Sequence, residues 1–341
     1  MHPEISLLIP CYNAAEFLPT LLDQAHQQTR AFREILVYND GSTDNSAAVA
    51  ERLGARVLRG QRSRGPGFGR NQLLHEAASH WIHFHDADDW LHPAFVEKMG
   101  QLLKGPDYGA VCALELFWVD SAEPNRVDRF PEVELTEHLV RTMIRQFIHF
   151  NALVLPRNLV IAVGGFVDQM RMSEDRDLLT RLAETGIRFA YIDEVLATWV
   201  RRPTSLTRSR AELAQAPYRR WYLHRCYRKL KREHRCLVGD QALYVGWTFY
   251  LKARGQDREA YHREARWWFY LARLCGMKSR LESSRLEKLL ASWVGAETVC
   301  FLKRLYADAR AFVSGSKNLA QLIRLDRSAG ESARRKNMLG L

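Results

Sequence analysis

The chain has 341 residues, 47% of them hydrophobic, and a formal net charge of +11, which suggests two domains or one large domain with an appendage. Its six cysteines are scattered without a Cys-x-x-Cys pair, which argues against a zinc-finger or disulfide framework and fits reduced thiols in the cytoplasm. It shows neither a signal peptide nor an uncharged run of the roughly 18 residues that span a membrane. We therefore expect a cytoplasmic protein, soluble or lying on a membrane surface.

The first half of the chain alternates short apolar runs with stretches of helical length. The predicted strands are Ile5–Pro10, Glu34–Tyr38, Arg56–Leu58, Trp81–His85 and Ala110–Val119. The predicted helices cover residues 16–28, a stretch ending near residue 53, a stretch beginning near residue 70, and residues 93–103. This alternation indicates βαβ units and therefore an α/β fold, a Rossmann-like, mostly parallel sheet flanked by helices.

Polar residues follow several of these strands. Tyr12, Asp40, Arg70 and the segment Asp86–Asp89 lie at or just beyond predicted strand ends. In doubly wound sheets the ligand crevice lies outside the carboxyl ends of the strands. The topology therefore predicts that these residues converge in space.

Three carboxylates, those of Asp86, Asp88 and Asp89, lie within four residues. Such a cluster repels itself unless a cation lies among the charges. Mg2+ and Mn2+ take oxygen ligands and complete their shells with substrate phosphates. Alone, the segment fits a metal–diphosphate site and a solvated acidic turn about equally well. The neighbouring His83 and His85 are expected to be packed and hydrogen-bonded instead of metal-bound.

Six segments of the chain, in the same order, resemble the motifs of a known family. The chain resembles the family 2 glycosyltransferases in the runs I-P-C-Y-N (9–13), N-D-G-S-T-D-N-S (39–46), G-R-N (69–71), D-A-D-D (86–89), P-R-N-L-V-I-A-V-G-G-F-V-D (156–168) and S-E-D-R-D-L-L-T-R-L (173–182). The resemblance covers about residues 4–208. It implies the GT-A fold and inverting transfer of a sugar from a nucleotide diphosphate donor.

For the donor, the resemblance implies that Pro10 and Tyr12 line the nucleotide site, with the Tyr12 ring stacked on the base. Asp40 would accept the N3–H of uracil, which favours a UDP-sugar, although thymine has the same edge and guanine offers another. Arg70 follows the glycine-rich loop 65–69 and resembles the family's arginine near the nucleotide phosphate. A turn-forming aspartate and a surface arginine at a helix start are the structural alternatives.

For the reaction, Asp86 and Asp88 resemble the Asp-x-Asp pair that holds Mn2+ or Mg2+. Asp88 is expected to reach the metal, Asp86 also the ribose or sugar, and Asp89 to support them. Glu174 and Asp175 are the predicted catalytic acids: by resemblance Asp175 is the general base and Glu174 orients the acceptor. A capped helix start with acids in its first turn is the alternative, and it is compatible with catalysis.

One position departs from the family pattern. Family members often carry a histidine that completes the metal shell, and Arg202 stands at that position in Trp199–Ser205. An arginine cannot ligate a cation, but it can contact the diphosphate directly. We therefore hypothesise weakened metal affinity or reduced metal dependence.

The C-terminal part of the chain has a different composition. Residues 1–210 carry a net charge of −4 and residues 211–341 carry +15, which predicts a GT-A domain over 1–210 and a basic, aromatic-rich, mainly helical extension over 211–341. Basic residues interleaved with aromatics in Tyr218–Arg235 suit an anionic membrane surface on the cytoplasmic side. The same pattern fits the core of a helical bundle or a homodimer interface. Nucleic-acid binding is not expected, because no motif supports it.

Taken together, the sequence predicts an inverting glycosyltransferase that uses a nucleotide-sugar donor, favouring UDP, and Mn2+ or Mg2+. Its acceptor would be a glycan or lipid-linked glycan in polysaccharide or lipopolysaccharide synthesis. Two alternatives stay open: a nucleotide-sugar-binding scaffold subunit without catalysis, and a nucleotidyltransferase. The two acid clusters argue against the first, and the lack of a glycine-rich lysine signature argues against the second.

Overall fold

A computed structural model describes residues 2–119, 125–130, 135, 138–146, 148–202, 212–253 and 255–277. The chain forms two compact units, Met1–Gln241 and Ala242–Leu341. The functional boundary predicted near residue 210 stays a prediction. The predictions for residues 203–211 and 278–341 lie outside the described residues.

The first unit is built on a nine-stranded sheet. Its spatial order is β3-β2-β1-β4-β8-β6-β9-β5, with β7 paired to β6. The strands are β1 (Ile5–Cys11), β2 (Glu34–Asn39), β3 (Arg56–Arg59), β4 (Trp81–Phe84), β5 (Trp90–Leu91), β6 (Tyr108–Trp118), β7 (Arg126–Asp128), β8 (Leu153–Pro156) and β9 (Arg188–Arg201).

The described residues also form ten α-helices. They are α1 (Leu18–His26), α2 (Ser46–Arg52), α3 (Pro66–Glu76), α4 (Phe95–Leu102), α5 (Leu139–Arg145), α6 (Arg157–Ala162), α7 (Glu174–Ala183), α8 (Glu212–Lys229), α9 (Arg235–Lys252) and α10 (Arg258–Leu274). The first eight belong to the first unit, α9 crosses the boundary and α10 belongs to the second unit.

The half of the sheet formed by β1 to β4 is parallel, as predicted. β1 lies at its centre between β2 and β4, and β3 lies outside β2. The side chains of Ile5 and Leu7–Ile9 are fully buried because helices cover both faces of this half. All four strands therefore end at one edge, which carries Tyr12, Asp40 and the acidic loop 86–89.

The other half corrects the expectation of a mostly parallel sheet. β8 runs antiparallel to both β4 and β6. Among the described residues of this half, β6 and β9 are the one parallel pair, so the sheet is mixed. The chain enters β8 from α5 through a short 3-10 turn, Phe150–Ala152, and β8 then runs back between β4 and β6 in the opposite direction to both. Because β8 is antiparallel, the residues that precede it reach the carboxyl edge of β4.

Helix α8 packs on α7 through part of the basic, aromatic segment. The hydroxyl of Tyr222 lies 2.9 Å from the Thr180 hydroxyl, and the Arg225 Nε donates to Asp177 at 2.8 Å. Tyr222 and Leu223 are buried in this contact. These apolar side chains therefore stabilise the first unit.

Within the second unit, aromatic side chains from the end of α9 pack against α10. The Trp247 and Phe269 rings have centroids 5.3 Å apart, and those of Phe249 and Tyr261 lie 5.7 Å apart. Gly246 allows this close approach, since a Cβ there would lie 2.9 Å from the Phe269 ring. No helix in the described part of the chain is long and apolar enough to cross a membrane.

Candidate active site

The three acids of the loop after β4 have three different environments. Asp86 lies partly exposed beside Arg70, whose Nη2 donates to Oδ1 at 2.7 Å. Burial alone would raise the pKa of Asp86, but the Arg70 charge outweighs it and the pKa is lowered. Asp86 is therefore ionised at neutral pH.

Asp88 and Asp89 differ in their exposure to solvent. The Asp88 side chain is 40% exposed, and partial burial together with the charge of Asp86 raises its pKa. Asp89 is buried, accepting from the Asn151 amide at 2.6 Å and from the Val200 N–H at 2.8 Å. Its pKa is raised well above the ordinary value by burial and by the two neighbouring acids. Asp89 thus anchors the loop to β9, and Asp88 is the acid of the loop most open to a ligand.

Arg70 connects the acidic loop to the start of α7. The residue is only 5% exposed. Its Nη2 is bonded to Asp86, and its Nη1 donates to Glu174 at 2.8 Å. The guanidinium also lies near the Phe150 and Phe166 rings, at 5.4 and 5.6 Å from their centroids. The phosphate contact predicted for Arg70 stays a prediction, because here the guanidinium is engaged by two carboxylates.

Glu174 and Asp175 open helix α7, and they differ in exposure. Glu174 is buried, and this burial, followed by the charge of Asp175, raises its pKa to about 7. Asp175 is half-buried and accepts from the Arg176 N–H. Ser173 before them has a left-handed φ of 64° and forms no side-chain cap, so the helix start lacks the side-chain cap that the structural alternative supposed. Asp177 belongs to the packing of α7, since both its oxygens are bonded to arginines.

Asp40 lies at the end of β2 with its carboxylate turned to the loop before α3. It accepts from the N–H groups of Arg64 and Gly65 and from the Ser63 hydroxyl, all within 3.0 Å. Gly65 has a φ of 97°, which a glycine adopts without strain. Tyr12 is 51% exposed, which leaves its ring accessible, and Pro10 pairs with Tyr38 at the end of β1.

Arg202 lies directly beside the acidic loop. Its Nη1 donates to the Asp88 carbonyl and lies 3.6 Å from the Asp88 carboxylate, and its guanidinium stacks on Phe17 at 4.4 Å. A cation of the chain itself is therefore in place beside the most exposed acid of the Asp-x-Asp pair.

The sequence did not reveal two residues that precede β8. The Asn151 amide oxygen accepts from the Asp86 N–H at 3.2 Å, while its Nδ2 donates to Asp89. His149 places Nε2 3.6 Å from Asp86 and stacks on Trp199. Only the antiparallel direction of β8 brings them here, and no local motif signals it.

The donor set fits a divalent cation. Ligand atoms of Asp86, Asp89 and His149 lie within 4.8 Å of one another, and carboxylate oxygens are what Mg2+ and Mn2+ prefer. This trio differs from the predicted Asp86 and Asp88 pair, which stays a prediction. His83 and His85 are fully buried and bonded to each other at 3.0 Å, as expected for packed histidines. Burial lowers the pKa of His83 to about 4.

The predicted residues form one connected arrangement. The Gly65 N–H caps Asp40, Gly67 lies against Glu174, and Arg70 joins Glu174 to Asp86. Asp175 is near enough to influence the pKa of both Glu174 and Arg70. The acid clusters therefore share one edge of the sheet.

Comparison of this fold with solved structures places it in a known class. The structure of TarS 1–349 from S. aureus in complex with UDP-GlcNAc has a TM-score of 0.64 at 15% identity, covering 90% of this chain and 92% of that one. The mannosyltransferase PcManGT from Pyrobaculum calidifontis, solved with GDP-Man and Mn2+, has a TM-score of 0.52 at 17% identity, covering 93% and 88%. The fold of this chain is the GT-A fold of glycosyltransferases.

Sequence comparison then shows a likeness to known glycosyltransferases. Residues 6–167 match the model of glycosyl transferase family 2. The succinoglycan biosynthesis protein ExoU of Rhizobium meliloti (strain 1021) is 28% identical over 225 residues, which are 60% of this chain and 64% of ExoU. The chondroitin synthase of Pasteurella multocida (strain Pm70) is 27% identical over 199 residues, 57% of this chain and 20% of that enzyme. The chain thus spans less than two thirds of these relatives. Residues 6–167 are thus similar to the family 2 glycosyltransferases.

Proposed function

We propose that the protein is an inverting glycosyltransferase that moves a sugar from a nucleotide diphosphate donor to a glycan or lipid-linked glycan. The observation that carries this proposal is the bridge from Asp86 through Arg70 to Glu174. It joins the acidic loop, where the donor diphosphate would lie, to the helix start that carries the candidate base. The alternative of a scaffold without catalysis gives no reason for this pairing.

The different exposures of the two acids on α7 support separate roles. Asp175 is half-buried and reachable, so we assign it the removal of the acceptor hydroxyl proton. The acceptor oxygen then forms a bond to the anomeric carbon while the bond from that carbon to the diphosphate breaks, and the nucleotide diphosphate leaves. Glu174 is buried and held by Arg70, which suits orientation of the acceptor better than proton exchange.

The departing diphosphate needs positive charge. A divalent cation held by Asp86 and Asp88 would supply Lewis-acid neutralisation of the developing negative charge. Arg202 would add a fixed positive charge beside Asp88. Together these support a site that depends less on a metal than one built from carboxylates alone.

For the nucleotide, we propose that Tyr12 stacks on the base and that Asp40 accepts its N–H edge. The exposed ring of Tyr12 supports stacking. The Asp40 carboxylate is already bonded to the loop before α3, which fixes its position. A UDP-sugar is the favoured donor because uracil offers the matching N3–H, and the solved TarS complex contains UDP-GlcNAc.

We further propose that the acceptor lies at the cytoplasmic face of an anionic membrane. The exposed basic side chains at the end of α8 support it, namely Arg228, Lys229, Lys231 and Arg232. The buried Tyr222 and Leu223 do not contribute, so charge and not apolar insertion would provide the attraction. Co-sedimentation with vesicles that contain or lack anionic lipid tests this: equal binding to both would count against it.

Donor turnover by purified protein tests the proposed reaction. We expect slow hydrolysis of the correct nucleotide-sugar in the presence of Mn2+, reduced at least about a hundredfold by Asp175→Asn and by Asp88→Ala. The exposed Asp107→Asn serves as the matched control and should retain activity. The donor is found first by a thermal-shift screen of UDP- and GDP-sugars, because a ligand of the native state raises the melting temperature. A protein that binds a donor but turns it over equally well in all variants would contradict the assignment.

A further inference from the structure

The phosphate groups of the proposed donor need cationic partners, and the two arginines expected there are already engaged. Arg70 is buried with each Nη group bonded to a carboxylate. Arg202 is bonded to the Asp88 backbone and lies near its carboxylate. A third arginine, Arg171, has no such commitment.

Arg171 lies three residues before α7, with its side chain against the Gly65 turn. A Cβ built at Gly65 would lie 3.0 Å from the Arg171 Cδ and 3.1 Å from its Nη1. The same glycine donates its N–H to Asp40. The Arg171 side chain therefore lies against the same turn that donates to Asp40.

Within the part of the chain that the structure describes, Arg171 forms neither an ion pair nor a side-chain hydrogen bond, and its side chain is exposed. The nearby Asp168 does not neutralise it, because Asp168 accepts from Asn71 at 2.8 Å and lies 3.6 Å from Arg64. Arg64 itself stacks on Phe68 at 3.5 Å. The turn therefore carries one guanidinium without an anion.

We propose that Arg171 is a substrate-binding residue that contacts a phosphate group. A guanidinium matches phosphate oxygens with two parallel N–H donors, which makes arginine well suited to this anion. The inference rests on the proposed function and deepens it, since the phosphate would belong to the bound donor or to a phosphate-bearing acceptor.

Calorimetric titration with UDP and with uridine distinguishes these sources. If the donor supplies the phosphate, Arg171→Gln should weaken UDP binding about tenfold and leave uridine binding unchanged. Arg171→Lys should recover part of the loss, because it keeps the charge and loses the planar fork. Arg52→Gln, on the exposed surface of α2, is the matched control and should bind UDP as the wild type does.

A second measurement addresses the acceptor. With UDP saturating, glycerol 3-phosphate serves as the smallest phosphate-bearing polyol in a thermal-shift titration. If the acceptor supplies the phosphate, Arg171→Gln should bind UDP normally and lose the stabilisation by glycerol 3-phosphate. A variant that matches the wild type in both measurements overturns the inference. Wild-type protein that binds neither UDP nor any nucleotide-sugar would instead overturn the proposed function.

Discussion

Replacing Glu174 by glutamine should change how the stability of the protein depends on pH. The pKa of Glu174 rises from an ordinary value of 4.5 to about 7 on folding, chiefly through burial. Between these values the folded state binds more protons than the unfolded state, so stability falls as pH rises through this window. The difference between the two pKa values corresponds to a loss of about 3 kcal/mol in the free energy of unfolding above pH ~7. Below pH ~4.5 Glu174 causes no such loss. Glutamine has no charge to bury and lacks this penalty.

Urea unfolding followed by tryptophan fluorescence measures the effect. The free energy of unfolding of Glu174→Gln minus that of the wild type should increase by about 3 kcal/mol between pH ~4.5 and pH ~8. Taking the difference cancels the titration of groups common to both proteins, including Asp89. Glu16→Gln, at an exposed acid, should show a flat difference. A flat difference for Glu174→Gln as well would refute the reasoning, because it would mean that burial does not hold this proton.

Three further changes test other parts of the structure. Asp177→Asn removes a buried charge shared by one arginine of α7 and one of α8, and should lower the free energy of unfolding by about 3 kcal/mol; a loss below about 1 kcal/mol would contradict the contact. Arg202→His removes a cation beside the acidic loop and adds a nitrogen ligand, so calorimetry should show about tenfold tighter Mn2+ binding in the presence of UDP, and unchanged affinity would count against its role. Gly65→Ala should lower the free energy of unfolding in urea by about 2 kcal/mol, because a φ of 97° strains an alanine. Gly100→Ala, inside α4 with open space around it, should instead raise it by about 0.5 kcal/mol. Equal effects of the two substitutions would disprove the claim that backbone strain at Gly65 is the cause.

The parallel half of the sheet could be predicted closely from the sequence. β1, β2 and β4 are short apolar runs because both of their faces are buried. Each of these strands therefore differs from its predicted range by one residue only. β9 was not predicted as a strand, although it has 14 residues. It mixes buried and exposed positions and contains a register shift against β6, so neither a period of two nor an apolar run marks it.

The candidate site likewise has a part that the sequence predicts and a part that it does not. The shared edge of Asp40 and Asp86 follows from strand order, which the alternating pattern reveals, whereas Glu174 was predicted to join this site only through the family resemblance. The partners of Arg70 could not be predicted, because its bond to Glu174 spans 104 positions in the chain. His149 and Asn151 were missed because their place depends on the direction of β8, and a four-residue apolar run does not encode direction.

The guanidinium of Arg70 has a consequence for attempts to redesign this protein. This one planar group binds a carboxylate of the acidic loop on one side of the cleft and a carboxylate of α7 on the other. The two sides therefore cannot change position independently. Library mutagenesis aimed at a new acceptor through the first turn of α7 would also move the loop that receives the leaving group. Changes of acceptor are better sought on the rim, in side chains that make no bond to this shared arginine.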